Sequence, residues 1–236
     1  MNKESFARQL EEQGLSLDSN QLSQFETYLH LIQEWNEKMN LTAITEDSGI
    51  WEKHFYDSIV PFLHTPFETL CDVGSGAGFP GIPLAIAWPQ RQFTLVEPLQ
   101  KRCRFLNEVI SVLHLHNVQV VNARAEDYAA THRAEFDAVS ARAVARLSIL
   151  LELCIPLLKD DGTFIALKGA NAHEELANAA PALKALHVRL EREEKFELGN
   201  EGSRINFYFV KTAPTPAKYP RAYGTIKKKP LEVSNG

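Results

Sequence analysis

A chain of 236 residues, 44% apolar and 23% charged, has room for one large globular domain with an appended subdomain. Its net charge of −5 excludes a general polyanion binder. The opening MNKESFARQLEEQG lacks the apolar centre of a signal peptide, and no apolar run nears the roughly 18 residues of a membrane span. The expected compartment is therefore the cytoplasm. Cys71, Cys103 and Cys154 are widely spaced without a CxxC pair, and the eight histidines form no HExxH. These read as reduced thiols, with no metal site expected.

Residues 1–66 are expected to form a helical subdomain. Asp18 and Ser19 can cap a helix whose apolar positions Leu22, Phe25, Leu29, Ile32, Trp35 and Met39 recur at steps of three and four, with Asn40 as its stop. A second amphipathic stretch, IWEKHFYDSIVPFLH, puts Trp51, Phe55, Ile59 and Phe62 on one face, and Pro66 ends it. This region is acidic, with four Lys/Arg against eleven Asp/Glu in residues 1–65.

From residue 67 to 217 the pattern alternates. Strands are expected at 68–74, 92–97, 118–123, 136–141 and 163–168, with helices in IPLAIAWP, KRCRFLNEVISVLHL and VARLSILLELCIPLLK between them. Two further strands, 186–198 and 204–211, follow one another with only a loop, so one should be antiparallel at the sheet edge. Short apolar strands separated by helices predict a doubly wound, mostly parallel α/β sheet of about seven strands. The tail 218–236 carries five Lys/Arg against Glu232 alone and is rich in Pro, Gly and Lys. It reads as irregular, either a solvated terminus or a contact for nucleic-acid phosphates through Arg221, Lys227, Lys228 and Lys229.

The densest glycine cluster, CDVGSGAGFPGIPLAI at 71–86, ends the first strand and precedes a helix. In a doubly wound sheet the ligand binds there, at the carboxyl ends of the strands. Gly76, Gly78 and Gly81 satisfy GxGxxG, a dinucleotide fingerprint, with Glu97 placed for ribose hydroxyls. Read from the strand end, the same run is Asp72-x-Gly74-x-Gly76-x-Gly78, an acidic residue opening three alternating glycines. That is the form of an S-adenosylmethionine (SAM) loop, whose backbone lies against a cofactor without pyrophosphate. Pro80 and Pro83 stiffen the turn where a pyrophosphate would need free N–H groups. Arg124-Ala125-Glu126-Asp127 ends the third strand where adenine would be held. SAM is favoured over NAD.

These motifs resemble a family. WNEKMNLTAI (35–44), His54 with Asp57-Ser58, DVGSGAGFPGIPLAI (72–86), LVEPLQKRCRFL (95–106), ARAEDY (123–128), SARAVARL (140–147), ALKG (166–169), SRINFYFVK (203–211) and YPRAYGTIKKKPL (219–231) are similar, through nearly the whole chain, to the bacterial 16S ribosomal RNA guanine-N7 methyltransferases. This is the small-subunit methyltransferase G, or glucose-inhibited division protein B, family. The chain departs from the pattern at Pro98, where a serine is frequent, and at RINFYF, where RHLVV is frequent; the second departure bears on Arg204. The resemblance implies a Rossmann-like class I fold and methyl transfer from SAM to N7 of guanine 527, in the 530 loop of 16S ribosomal RNA or the small subunit.

The resemblance also implies cofactor contacts at Gly74, Phe79, Ala125, Glu126 and Arg142. The residues themselves add Asp72, Gly76, Gly78 and Glu97. The alternatives are Ala125 as filler, Glu126 as a solvated charge and Arg142 as the partner of a nearby acid, with the functional reading favoured for each. Guanine N7 carries an in-plane lone pair and no proton, so alignment in a dehydrated pocket suffices without a general base. In keeping with this, the sequence has no Asn/Asp-Pro-Pro-Tyr/Phe motif and no Pro-Cys pair. Arg142, Lys168 and Arg204 are the candidate catalytic residues, positioning a splayed base and its phosphates. A 2′-O-methyltransferase would instead use a lysine near Lys168 to lower a hydroxyl pKa. Lys101, Arg102 and Arg104 either reach RNA backbone or form an exposed helix start. A monomer is expected. The rival readings are a small-molecule methyltransferase on the same fold and a NAD-binding oxidoreductase.

Overall fold

The computed structural model describes residues 1–169, 171–198 and 203–233. Helix α1 (Lys3–Glu12) is capped by Asn2, and α2 (Ser19–Met39) by Asp18, whose side chain takes the Gln21 N–H while Gln21 returns a bond to the Asp18 backbone. Asn40 ends α2 in the left-handed conformation, at φ 49°. An unbroken helical run follows: α3 (Asp47–Gly49), a π-helix (Ile50–Tyr56), α4 (Asp57–Ile59) and a 3-10 turn (Val60–Phe62). Pro61 is the second residue of that last turn, where its missing N–H is not needed, and the run ends at Phe62, before Pro66.

The sheet has the order β3-β2-β1-β4-β5-β7-β6. Its strands are β1 (Thr69–Val73), β2 (Gln92–Val96), β3 (Val118–Val121), β4 (Phe136–Arg142), β5 (Leu158–Lys168), β6 (Val188–Glu197) and β7 (Ser203–Lys211). The first five are parallel. β7 runs antiparallel between β5 and β6, placing β6 at the edge. Strand order reverses between β1 and β4, so the carboxyl ends of those two strands flank the crevice.

Two cores sandwich the sheet. On one face, α1, α2 and the helical run share apolar packing with α5 (Gly81–Ala87) and α6 (Gln100–Val112); Phe6, Phe25, Phe55, Phe62, Phe105 and Tyr208 are fully buried there. On the other face lie α7 (Ala125–Thr131), α8 (Leu147–Cys154), α9 (Ala172–Asn178), α10 (Ala180–Leu186) and α11 (Tyr223–Lys228). Cys71 and Cys154 are fully buried in this second core.

The tail corrects the sequence expectation. Residues 219–233 are not an irregular basic extension but a strap across α8, containing α11. Positions 234–236 of that tail lie outside the described residues. Tyr219 and Ile226 are buried in the second core. Glu152, the one charged residue of LSILLELC in α8, is wholly buried and needs a cation. Arg221 supplies it through two bonds, Nε to Oε1 at 2.7 Å and Nη2 to Oε2 at 2.6 Å, and its backbone N–H adds a third. Arg221 is therefore committed within the fold, while Lys227, Lys228 and Lys229 remain exposed.

Arg221→Ala should cost about 3 kcal/mol, because it strands a buried carboxylate with one backbone donor. The double change Glu152→Leu with Arg221→Leu should recover most of that loss. Denaturant midpoints measure both, and an Arg221→Ala protein as stable as the parent would contradict the assignment.

Candidate active site

The crevice between the carboxyl ends of β1 and β4 holds two cavities that meet at Ala143 and Val144. The smaller, of about 280 Å³, is lined by Gly74, Glu97, Leu99, Arg124, Ala125 and Glu126, with Arg102 and Tyr223 at its sides. The larger, of about 590 Å³, is lined by Lys53, His54, Asp57, Arg142, Lys168 and Arg204, with Arg146 and Glu175.

The glycine loop shapes the smaller cavity. Gly74 N–H bonds the Val96 carbonyl at 2.8 Å, and Gly76 N–H bonds Glu97 Oε2 at 2.9 Å. The other Glu97 oxygen accepts from Leu99 N–H at 2.9 Å. Glu97 is buried, so one carboxylate ties the loop to the start of α6 and still lines the cavity. Gly76 has φ +58°, and the nearest neighbour of a Cβ there would be the Gly74 carbonyl at 3.9 Å; backbone conformation, not crowding, asks for glycine. Gly78 differs. A Cβ there would lie 2.7 Å from both the Tyr28 hydroxyl and Ile82, so this glycine faces the helical packing and lines neither cavity.

Asp72 also lies behind the loop. It is fully buried, accepts from Gly81 N–H and the Ser140 hydroxyl at 3.2 Å each, and burial pushes its pKa up to about 6. Phe79 is buried beneath the larger cavity. The His54 ring stacks on it at 4.3 Å, and the Arg142 guanidinium sits 4.8 Å from its centroid.

The larger cavity is built on one buried carboxylate. Asp57 Oδ2 lies 3.4 Å from Arg142 Nη1 and 3.4 Å from Arg204 Nε, joining the ends of β4 and β7 to α4. Burial raises the Asp57 pKa, and the two arginines oppose that rise. Arg142 also donates to the Lys53 carbonyl at 3.1 Å. Lys168, the last residue of β5, forms a 2.6 Å ion pair with Glu175 and donates to the Ala145 carbonyl at 3.1 Å. Glu175 in turn accepts from Leu147 N–H at 2.7 Å. Lys168 thereby holds the 143–147 loop in place.

The candidate residues thus fall into three groups. Gly74, Glu97, Ala125 and Glu126 surround the smaller cavity; Arg142, Lys168 and Arg204 surround the larger; Asp72, Gly76, Gly78 and Phe79 line neither and shape the loop from behind. Arg102 joins the first group, 3.9 Å from Glu97, while Lys101 and Arg104 are exposed on α6 outside both cavities. Sequence reasoning gave no role to Lys53, Val144, Glu175 or Tyr223. Glu175 pairs across 7 positions with Lys168 but sits in a polar AHEEL run without a distinguishing pattern.

His54 Nε2 lies 2.7 Å from the Thr42 hydroxyl, and Nδ1 faces the Lys53 carbonyl. Burial and then the charge of Arg142 lower its pKa to about 3. The folded ring stays neutral where an unfolded histidine, at about 6.5, takes a proton. The stability from this site is complete above about pH 6.5 and is lost as pH falls toward 3. The His54 ring resonances, assigned with a His54→Gln protein, should not shift between about pH 8 and 5. A midpoint near the ordinary histidine value would contradict the buried, cation-facing environment.

Comparison with known proteins follows the same lines. A family model described as rRNA small subunit methyltransferase G matches residues 21–201. Two relatives named Ribosomal RNA small subunit methyltransferase G, from Bacillus licheniformis and Bacillus thuringiensis, are 48% and 49% identical, each over 98% of this chain and 100% of their own. Among solved structures, M. jannaschii TYW2 in complex with AdoMet is similar with a TM-score of 0.56 at 19% identity, over 72% of this chain and 79% of that one. That likeness carries the fold: a Rossmann-like class I methyltransferase sheet. With a family match across most of its length and near-half identity over nearly all of it, the chain belongs to the rRNA small subunit methyltransferase G family.

Proposed function

We propose that this protein methylates N7 of guanine 527 in the 530 loop of 16S ribosomal RNA, with SAM bound in the smaller cavity and the guanine in the larger. Family membership makes it a SAM-dependent rRNA methyltransferase; the atom and the position are the proposal. The donor set of the smaller cavity suits the cofactor. Glu97 can accept ribose hydroxyls, the Gly74 backbone lines the cavity beneath Val144, and the start of α7 offers Ala125 and Glu126 to adenine. When bound, SAM supplies a methyl group activated on a sulfonium.

The observation that carries the N7 assignment is the state of the groups that could act as a base in the larger cavity. His54 is neutral, with its pKa near 3, and both of its nitrogens face partners. Asp57 shares Oδ2 between two arginines and its unpartnered Oδ1 is buried away from solvent, Glu175 is taken by Lys168 and Leu147, and Lys168 is taken by Glu175 and the Ala145 carbonyl. A hydroxyl or amino acceptor must lose a proton to such a base. Guanine N7 has none to lose, and needs only to be held in line. Arg142 and Arg204, kept in place by Asp57, with Lys53 and Arg146 on the rim, suit the phosphates and base edges of an extruded nucleotide. A ribosomal RNA substrate puts this work in the cytoplasm.

Small ribosomal subunits lacking the modification, incubated with the protein and methyl-labelled SAM, should yield N7-methylguanosine on nucleoside mass spectrometry, mapped to position 527. With both substrates saturating, the rate should show no ascending limb between about pH 6 and 9. Lys168→Met should lower the rate without changing the shape of that profile, because its loss loosens the 143–147 loop. Ribose-methylated guanosine, or a rising limb abolished in Lys168→Met, would overturn the N7 reading in favour of 2′-O transfer.

A further inference from the structure

The smaller cavity has one aromatic ring among its lining residues, and it comes from the far end of the chain. Tyr223, the first residue of α11, lines the cavity together with apolar side chains that include Leu99, Leu153, Val96 and Val144. Three anchors hold it. Two residues earlier, Arg221 is locked onto buried Glu152. Three residues later, on the same helical face, Ile226 is fully buried in the second core. Beyond α11, Glu232 accepts from the Ser148 hydroxyl at 2.6 Å and pairs with Arg146 at 2.9 Å. The Arg124 guanidinium lies 5.8 Å from the Tyr223 centroid, further fixing the ring at the mouth of the cavity.

A tyrosine offers an apolar face and a polar tip, which suits a flat heterocycle half open to water. Leu99, 46% exposed at the same cavity, is a large apolar side chain left in water. Building on the reading of this cavity as the cofactor site, we propose that Tyr223 is the wall against which the adenine ring stacks. The C-terminal strap is then part of the cofactor site, and its lock on Glu152 is what positions that wall. Purine–aromatic stacking tolerates loss of the phenolic hydroxyl but not loss of the ring.

Calorimetric titration of the full-length protein with S-adenosylhomocysteine, and with 5′-methylthioadenosine, which lacks the amino-acid portion, tests this. Tyr223→Phe should bind both as the parent does. Tyr223→Leu, which keeps bulk, and Tyr223→Ala should bind both roughly tenfold more weakly or worse, by the same factor for each ligand. Unliganded melting temperatures identify any variant weakened through the fold, and Tyr223→Leu then decides. Binding by Tyr223→Leu within twofold of the parent would overturn the stacking role. So would a loss confined to S-adenosylhomocysteine, which would place Tyr223 at the amino-acid end. A parent that binds neither ligand would instead remove the cofactor reading of the cavity itself.

Discussion

The larger cavity depends on the pairing of one buried carboxylate with two arginines that arrive from different parts of the chain. Asp57 comes from the N-terminal helices, Arg142 from the end of β4 and Arg204 from the second residue of β7. Two arginines held half-buried at the strand ends, each 3.4 Å from the same oxygen, need that charge between them. The π-helix preceding Asp57 brings Lys53 and His54 to the same wall, with the His54 ring laid on Phe79 of the glycine loop. The helices of residues 1–66 share one apolar core with the sheet, and through Asp57 they also furnish the counter-charge of the larger cavity.

The two cavities communicate where the chain leaves β4. Ala143 adopts φ 55°, and Val144 stands over Gly74 so closely that a Cβ on that glycine would lie 2.6 Å from it. Val144 is thus the partition between the two cavities. Lys168, Glu175, Arg146 and Glu232 pin the segment on either side of it. Charge in this part of the molecule works on loop geometry, which a methyl transfer governed by alignment requires.

Much of this was legible in the sequence, and the reasons differ by element. Asp18, the three-and-four periodicity and Asn40 marked α2 to the residue because capping is local chemistry. Apolar runs marked β1 to β5 because a doubly covered parallel sheet favours them, and alternation marked the charged edge strand β6; the early start of β5 at Leu158, inside an apolar run read as helix, escaped. The glycine motif located the crevice, yet it could not say which glycines face a ligand. Gly76 opens toward free space while Gly78 is packed against Tyr28, a residue 50 positions away. The tail was misread for a related reason. Composition describes KYPRAYGTIKKKPL as soluble and basic, but Glu152, alone in an apolar helix, is the residue that demands an arginine there. That signal lay in α8, not in the tail. Tyr223 and Glu175 owe their places wholly to tertiary packing.

The most direct test is the electron density of S-adenosylhomocysteine in crystals of the protein. Its ribose hydroxyls should lie within hydrogen-bond distance of Glu97 in the smaller cavity, with the sulfur turned past Val144 toward Arg142 and the larger cavity. Density that leaves Glu97 without a ribose, or that turns the sulfur away from the Arg142 side, would contradict the division of the crevice into donor and acceptor sites.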